Sequence, residues 1–117
     1  MTSRNKAILI ASAARAKKAE GVVVLDMRKV CNFTDFFVIS SAASDRKIRT
    51  IADAIEDALS KKGLGLKKKE GYREASWVLI DSGNVIAHVF SDDARQFYAL
   101  ERLWSKAAKL KIPRKKK

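Results

Sequence analysis

Few residues in this chain of 117 are equipped for chemistry: one histidine, one cysteine and two tryptophans. His88 and one of the tryptophans, Trp77, lie in EGYREASWVLIDSGNVIAHVF (70–90), which reads as two strands around a DSGN turn. Folded as a hairpin, it sets indole beside imidazole. Zinc asks for three or four N and S ligands, and His88 with Cys31 is too small a set. Serine–histidine catalysis would have to recruit His88, which stands mid-strand among apolar neighbours with no nucleophile elbow nearby. Gly63 and Gly65 match neither the Walker nor the Rossmann pattern. Asp92 and Asp93 are adjacent, so their carboxylates diverge, and they sit where a helix start favours acids. SAASDRK (41–47) has amides and Arg46 for an anion at a helix start, but a plain N-cap at Ser44 is the simpler reading. No catalytic residue, metal or cofactor is therefore expected.

The elements that must position these residues follow from periodicity. Ser3 is placed to cap a helix over 4–19, with Gly21 after it. That segment is basic and free of acids before Glu20, as transit peptides are. The helical spacing of Ala7, Ile8, Ala11 and Ala14, with a strand directly following, favours a first helix of the domain. VVVLDM (22–27) and DFFVISS (35–41) read as buried strands forming a long-looped hairpin. From Ser44, Ile48, Ile51, Ala52, Ile55 and Leu59 mark one helical face, closed by Gly63. LGLKKK (64–69) is a weakly signalled strand, joined to the second strand by a parallel crossover. SWVLI (76–80) and VIAHVF (85–90) form the hairpin. A last helix begins at Ser91 and Asp92, with Phe97, Leu100, Leu103, Trp104 and Ala107 as its apolar face. The expectation is one α/β domain over 1–112, with a mixed sheet of about five strands and about three helices, then a basic tail over 113–117.

Alternation divides the hairpin into two faces. Val78, Ile80, Val85, Ala87 and Val89 make a small aliphatic face that suits helix packing. Trp77, Leu79, Ile86, His88 and Phe90 make a bulky aromatic one. Two readings of the second face stand side by side. Helices bury it as they bury the first, or it stays partly open and marks a protein-partner site.

Charge is the unusual quantity. Lys and Arg number 25 against 13 acids, a formal net charge of +12. No fold requires that excess, and it points to a polyanionic, RNA-rich neighbourhood. Lys67, Lys68 and Lys69, and Arg114, Lys115, Lys116 and Lys117, are offered as RNA contacts of the phosphate-attracting kind, without aromatics interleaved to read bases. A single cysteine fits a reducing, cytosol-like compartment, and no apolar run is long enough to span a bilayer.

Two long stretches, VLDMRKVCNFTDFFVISSAASDRKIRTIADAIEDAL (24–59) and EGYREASWVLIDSGNVIAHVFSDDARQFYALERLW (70–104), resemble the ribosomal silencing factor family, RsfS, also called Iojap-like proteins. The specific marks are Thr34-Asp35, Ser44, Arg46, Glu70-Gly71, Trp77, Asp81, Gly83, His88-Val89, Arg95, Tyr98, Leu100-Glu101 and Leu103-Trp104. Asn84, Ala42 and Lys47 depart from the common pattern, at loop and helix-start positions. The resemblance implies a nucleotidyltransferase-like fold without its catalytic motif. It implies binding to the large ribosomal subunit through that subunit's fourteenth protein, and steric exclusion of the small subunit. Translation is thereby repressed. Organellar relatives act in large-subunit assembly, so a basic RNA-binding or assembly factor is the second reading. Beside the resemblance, strand alternation assigns Trp77, Leu79, His88 and Phe90 to an open partner-binding face, with Arg95 and Tyr98 at its margin. An isolated protein with such a face is expected to form a weak homodimer that hides it.

Overall fold

Helix α1 (Ser3–Ala16) starts one residue earlier than Ser3 capping would allow, because the Thr2 hydroxyl accepts from the Asn5 amide at 3.0 Å. It also stops before the expected residue 19: Lys17 caps it and Lys18 turns with φ +63°. This is a computed structural model, and it describes residues 1–113. Arg114–Lys117, part of the expected basic tail, lie outside the described residues.

Strand β1 (Glu20–Asp26) pairs antiparallel with β2 (Phe36–Ala42), as the long-looped hairpin reading requires. Helix α2 (Asp45–Lys61) is capped by Ser44, whose hydroxyl accepts from the Lys47 amide at 3.1 Å. Its stripe of Ile48, Ile51, Ala52, Ile55 and Leu59 is fully buried, and each large member contributes roughly 1.5–3 kcal/mol of apolar transfer. Strand β3 (Lys68–Glu70) is shorter and later than LGLKKK suggested, since Leu64 and Leu66 instead pack sideways against the core from a loop. The hairpin of β4 (Trp77–Asp81) and β5 (Val85–Ser91) forms in the expected register, with Trp77 opposite Phe90 and Leu79 opposite His88.

The sheet has six strands in the order β3-β4-β5-β2-β1-β6, so the count of about five was one short. The extra strand is β6 (Ala108–Leu110), which pairs antiparallel with β1. Its three residues are too few to show alternation, and only pairing with β1 defines it. The crossover also differs in detail. Strand β2 runs parallel to β5, its neighbour, while β3 shares that direction from the sheet edge, with two strands between it and β2. Strands β4 and β5 thus fill the space that the sequence reading had left between β2 and β3.

The expected last helix is two short ones, α3 (Asp92–Tyr98) and α4 (Leu100–Leu103), separated by left-handed Ala99 at φ +47°. The break turns Leu100, Trp104 and Ala107 inward but leaves Phe97 81% and Leu103 70% exposed. These two are therefore not part of a packed helical face. An ion pair accompanies the break. Arg95 and Glu101, six apart, would point away from each other on an unbroken helix, yet here they meet at 3.0 Å.

The sheet is covered unequally. On one face α1 and α2 pack over Val78, Ile80, Val85, Ala87 and Val89, the aliphatic hairpin set, all completely buried. Lys6 reaches from α1 to donate to the Ser82 carbonyl at 3.0 Å, pinning the helix to the β4–β5 turn. The opposite face has only α3, α4 and loops for cover.

Candidate functional site

The under-covered face carries a continuous run of rings. Phe97 contacts Tyr98 (centroids 5.0 Å), Tyr98 lies 4.6 Å from Trp77, and Trp77 lies 5.9 Å from His88. His88 meets Phe37 edge-to-face at 4.5 Å, and Phe37 is flanked by Phe33 and Trp104, each at 6.2 Å. Offset and edge arrangements of this kind suit the ring quadrupole.

The run has a surface layer and a layer beneath it. Phe33, Phe97, Tyr98 and Leu103 are exposed, and Trp77, Leu79, Ile86 and Trp104 are half-buried. His88 is only 4% and Phe90 only 1% exposed. The expectation of an open face holding His88 and Phe90 is thus corrected. Both lie in the lower layer, because Trp77 crosses over them from β4 and Tyr98 stacks 6.2 Å from Phe90. Sequence reasoning missed Phe33 and Phe37 and assigned Trp104 only to helix packing. An aromatic in the polar loop around Asn32 and Thr34 was the one signal available for Phe33.

Trp77 and His88 do meet. The indole Nε1–H donates to His88 Nδ1 at 3.1 Å. Nδ1 is then an acceptor, so the neutral ring carries its hydrogen on Nε2. Nε2 is buried and finds no hydrogen-bond partner among the described residues. Burial pushes the pKa of His88 down to about 4, so the ring is neutral at physiological pH. A neutral imidazole fixes the indole plane, and with it the platform on which Tyr98 rests.

Arg95 was expected at the margin of an open face. Its guanidinium instead points into the protein, and all five of its N–H groups are taken. Nε and one Nη2 hydrogen go to the Glu101 carboxylate (3.1 and 3.0 Å). The other Nη2 hydrogen goes to the Gly21 carbonyl (2.7 Å), and Nη1 donates to the Glu20 carbonyl and Ser41 Oγ, both at 3.1 Å. Those carbonyls flank a bulge in β1, where the register slips between Glu20 and Val23 and leaves ladder groups unpaired. Arg95 thus ties α3 and α4 to the β1–β2 edge and holds Tyr98 over Trp77. Lysine keeps the charge but cannot fork. Arg95→Lys is expected to cost about 2 kcal/mol in denaturant unfolding and to speed amide exchange in α3.

The KKK run is less free than its sequence suggests. Lys69 Nζ is paired with Glu56 at 2.8 Å and sits 4.5 Å above the Tyr72 ring, and Lys68 Nζ is 3.5 Å from Glu70. Only Lys67 of the three has no acidic partner among the described residues. Arg114, Lys115, Lys116 and Lys117 fall outside those residues. Among the described residues no group of three His, Cys, Asp or Glu side chains is arranged to hold a metal, and no helix is long and apolar enough to cross a membrane.

Fold and site together define an α/β domain with one sheet face sealed by long helices and the other finished as an aromatic surface. Comparison with known proteins names the family. Residues 1–117 match the family described as "Ribosomal silencing factor during starvation", and the chain belongs to it. It is 41% identical over 99 residues to ribosomal silencing factor RsfS of Bacillus subtilis, covering 85% of this chain and 84% of that one. It is 38% identical over 112 residues to the RsfS of Halalkalibacterium halodurans, covering 96% of each. The crystal structure of protein CV0518 from Chromobacterium violaceum superposes with a TM-score of 0.88 at 24% identity, covering 98% of this chain and 95% of that one, which shows the shared fold.

Proposed function

We propose that this protein is a non-enzymatic silencing factor of translation. It docks on the large ribosomal subunit, against that subunit's fourteenth protein, and excludes the small subunit by occupying its space. The observation that carries this reading is the aromatic surface, with Phe97 81% and Tyr98 47% exposed at its rim and half-buried Trp77 between them and the core. Aromatic anchors of this kind dominate binding energy at protein interfaces. The names of the Bacillus and Halalkalibacterium relatives supply the ribosomal partner. Such a factor works in the cytoplasm, where subunits meet. The net charge of +12 favours additional contacts with ribosomal RNA, through Lys67 and the basic residues at 114–117. It also supports the second reading, an RNA-binding assembly factor. Free in solution, the same surface would pair two copies weakly.

Tyr98 and Phe97 test the docking surface better than Trp77, because removing the indole would strip buried His88 of its partner. Phe97→Ala/Tyr98→Ala is expected to weaken co-sedimentation with purified large subunits about tenfold or more. The melting temperature should hardly change. Subunit-joining assays should lose inhibition in parallel. Unchanged binding by a folded double variant would rule out this face as the docking site.

A further inference from the structure

The net charge is not spread over the molecule. Residues 1–19 and 102–117 hold 13 Lys and Arg and not one acid, whereas residues 20–101 hold 12 Lys and Arg against 13 acids. The whole positive excess therefore belongs to two stretches at opposite ends of the sequence. The fold brings residues 1–19 and 108–113 of these stretches together. Strand β6 pairs with β1, and Leu110 and Ile112 pack into the core cluster that α1 also covers. Arg4 and Arg15 on α1 then face Lys111, Ile112 and Pro113 across a surface groove of about 570 Å³.

Arg4 and Arg15 are eleven residues apart, three helical turns, so they project from one side of α1 about 16 Å apart along its axis. Arg4, Arg15 and Lys111 are exposed, no acid lines the groove, and none of the three belongs to an ion pair among the described residues. By contrast, Asp53, Glu56 and Asp57 cluster on α2. The groove itself therefore carries an unopposed positive charge, which attracts a polyanion.

We propose that this groove binds the sugar–phosphate backbone of RNA. Two guanidinium forks about 16 Å apart and an ammonium lining the same groove can each hold a phosphate of one backbone, though not successive ones. No aromatic ring lines the groove to stack a base, so recognition would be independent of sequence. The groove lies on the helix-covered side of the sheet, away from the aromatic surface. It is therefore a second point of attachment, and free RNA tests it without reference to the silencing reading.

The probe is a fluorescein-labelled 20-nucleotide RNA of mixed sequence, followed by anisotropy in rising KCl with the full chain. Arg4→Gln/Arg15→Gln/Lys111→Gln should bind roughly tenfold more weakly at low salt, and the slope of log K against log salt should fall by about 2 to 3. A control losing the same charge elsewhere, Lys61→Gln/Lys62→Gln/Arg73→Gln, should change affinity less than about threefold, and Phe97→Ala/Tyr98→Ala should leave it unchanged. Equal losses from both triples would overturn the proposal in favour of diffuse charge. So would RNA binding that survives the groove triple while binding to phosphatidylserine vesicles is lost, which would assign the groove to a membrane surface. If the triple fails to fold, Arg15→Gln alone must still lower affinity measurably and reduce the salt slope for the proposal to stand.

Discussion

Gly71→Ala should be among the most damaging single substitutions in the protein, costing about 3 kcal/mol or more of stability. Gly71 adopts φ +78°, where an L side chain is strained by about 1–2 kcal/mol. Space adds to the strain. A Cβ built there would stand 2.1 Å from the Trp77 carbonyl oxygen, which is backbone and cannot rotate away. Relief requires moving the start of β4 itself, an overpacking cost of a further 1–3 kcal/mol. Gly63 provides the internal control. Its φ of +70° is nearly the same, but a Cβ there would meet nothing within 4 Å. Gly63→Ala should therefore show the backbone strain alone, about 1 kcal/mol or slightly more. Urea unfolding of the two variants side by side measures the difference. Equal losses would show that the close approach to Trp77 is unimportant. Because the displaced atom belongs to Trp77, Gly71→Ala should also weaken large-subunit binding at temperatures where it remains folded.

Acidification should destabilise the fold through His88, by up to about 3 kcal/mol. The sign follows from where the proton goes. The unfolded histidine titrates near 6.5, while in the folded protein burial holds it down to about 4. Above pH 6.5 both states are neutral and His88 contributes no pH dependence. Between 6.5 and 4 the unfolded chain takes up a proton that the folded chain refuses, so stability falls as pH falls. Below 4 both states are charged and the loss levels off. At pH 5 the loss is about 2 kcal/mol relative to pH 7.5. His88→Gln removes the titration while keeping an acceptor for Trp77 Nε1–H. Guanidinium unfolding of wild type and variant at the two pH values should show the gap only in the wild type. Identical pH dependence would mean that His88 takes up its proton as readily in the folded chain as in the unfolded one, and that its burial does not set the pH dependence. Trp77 fluorescence gives a second readout, since a protonated Nδ1 cannot accept from the indole.

Much of this architecture is legible in the residues themselves. The α2 stripe and both hairpin faces follow from periodicity, and every aliphatic residue assigned to the helix-packed face is buried. Ser44, Asp81-Ser82-Gly83-Asn84 and Gly63 act where local chemistry puts them. What was hidden depends on distant partners. Strand β6 exists only because β1 offers an edge. The Ala99 break goes with the return of Glu101 to Arg95. The layering of the aromatic surface is hidden for the same reason. Alternation says that Trp77, His88 and Phe90 share a face, but not that the largest ring covers the other two. Arg95 looked like a free interface residue because the bulge carbonyls it serves lie more than seventy residues earlier in the chain.

The sheet edges decide how this protein can and cannot associate with itself. Both terminal strands, β3 and β6, are three residues long and carry lysine: Lys68 and Lys69 on one, Lys109 on the other. Short lysine-bearing borders make poor templates for another chain's backbone, so sheet-to-sheet growth into fibrils is blocked on both sides. Strand β6 also covers Val24, Leu25 and Asp26 of β1, which would otherwise form the sheet's border. Strand β6 thus protects the sheet's border and leads directly into the segment that lines the groove. Pairing of two copies by continuation of the sheet is thus disfavoured at both borders.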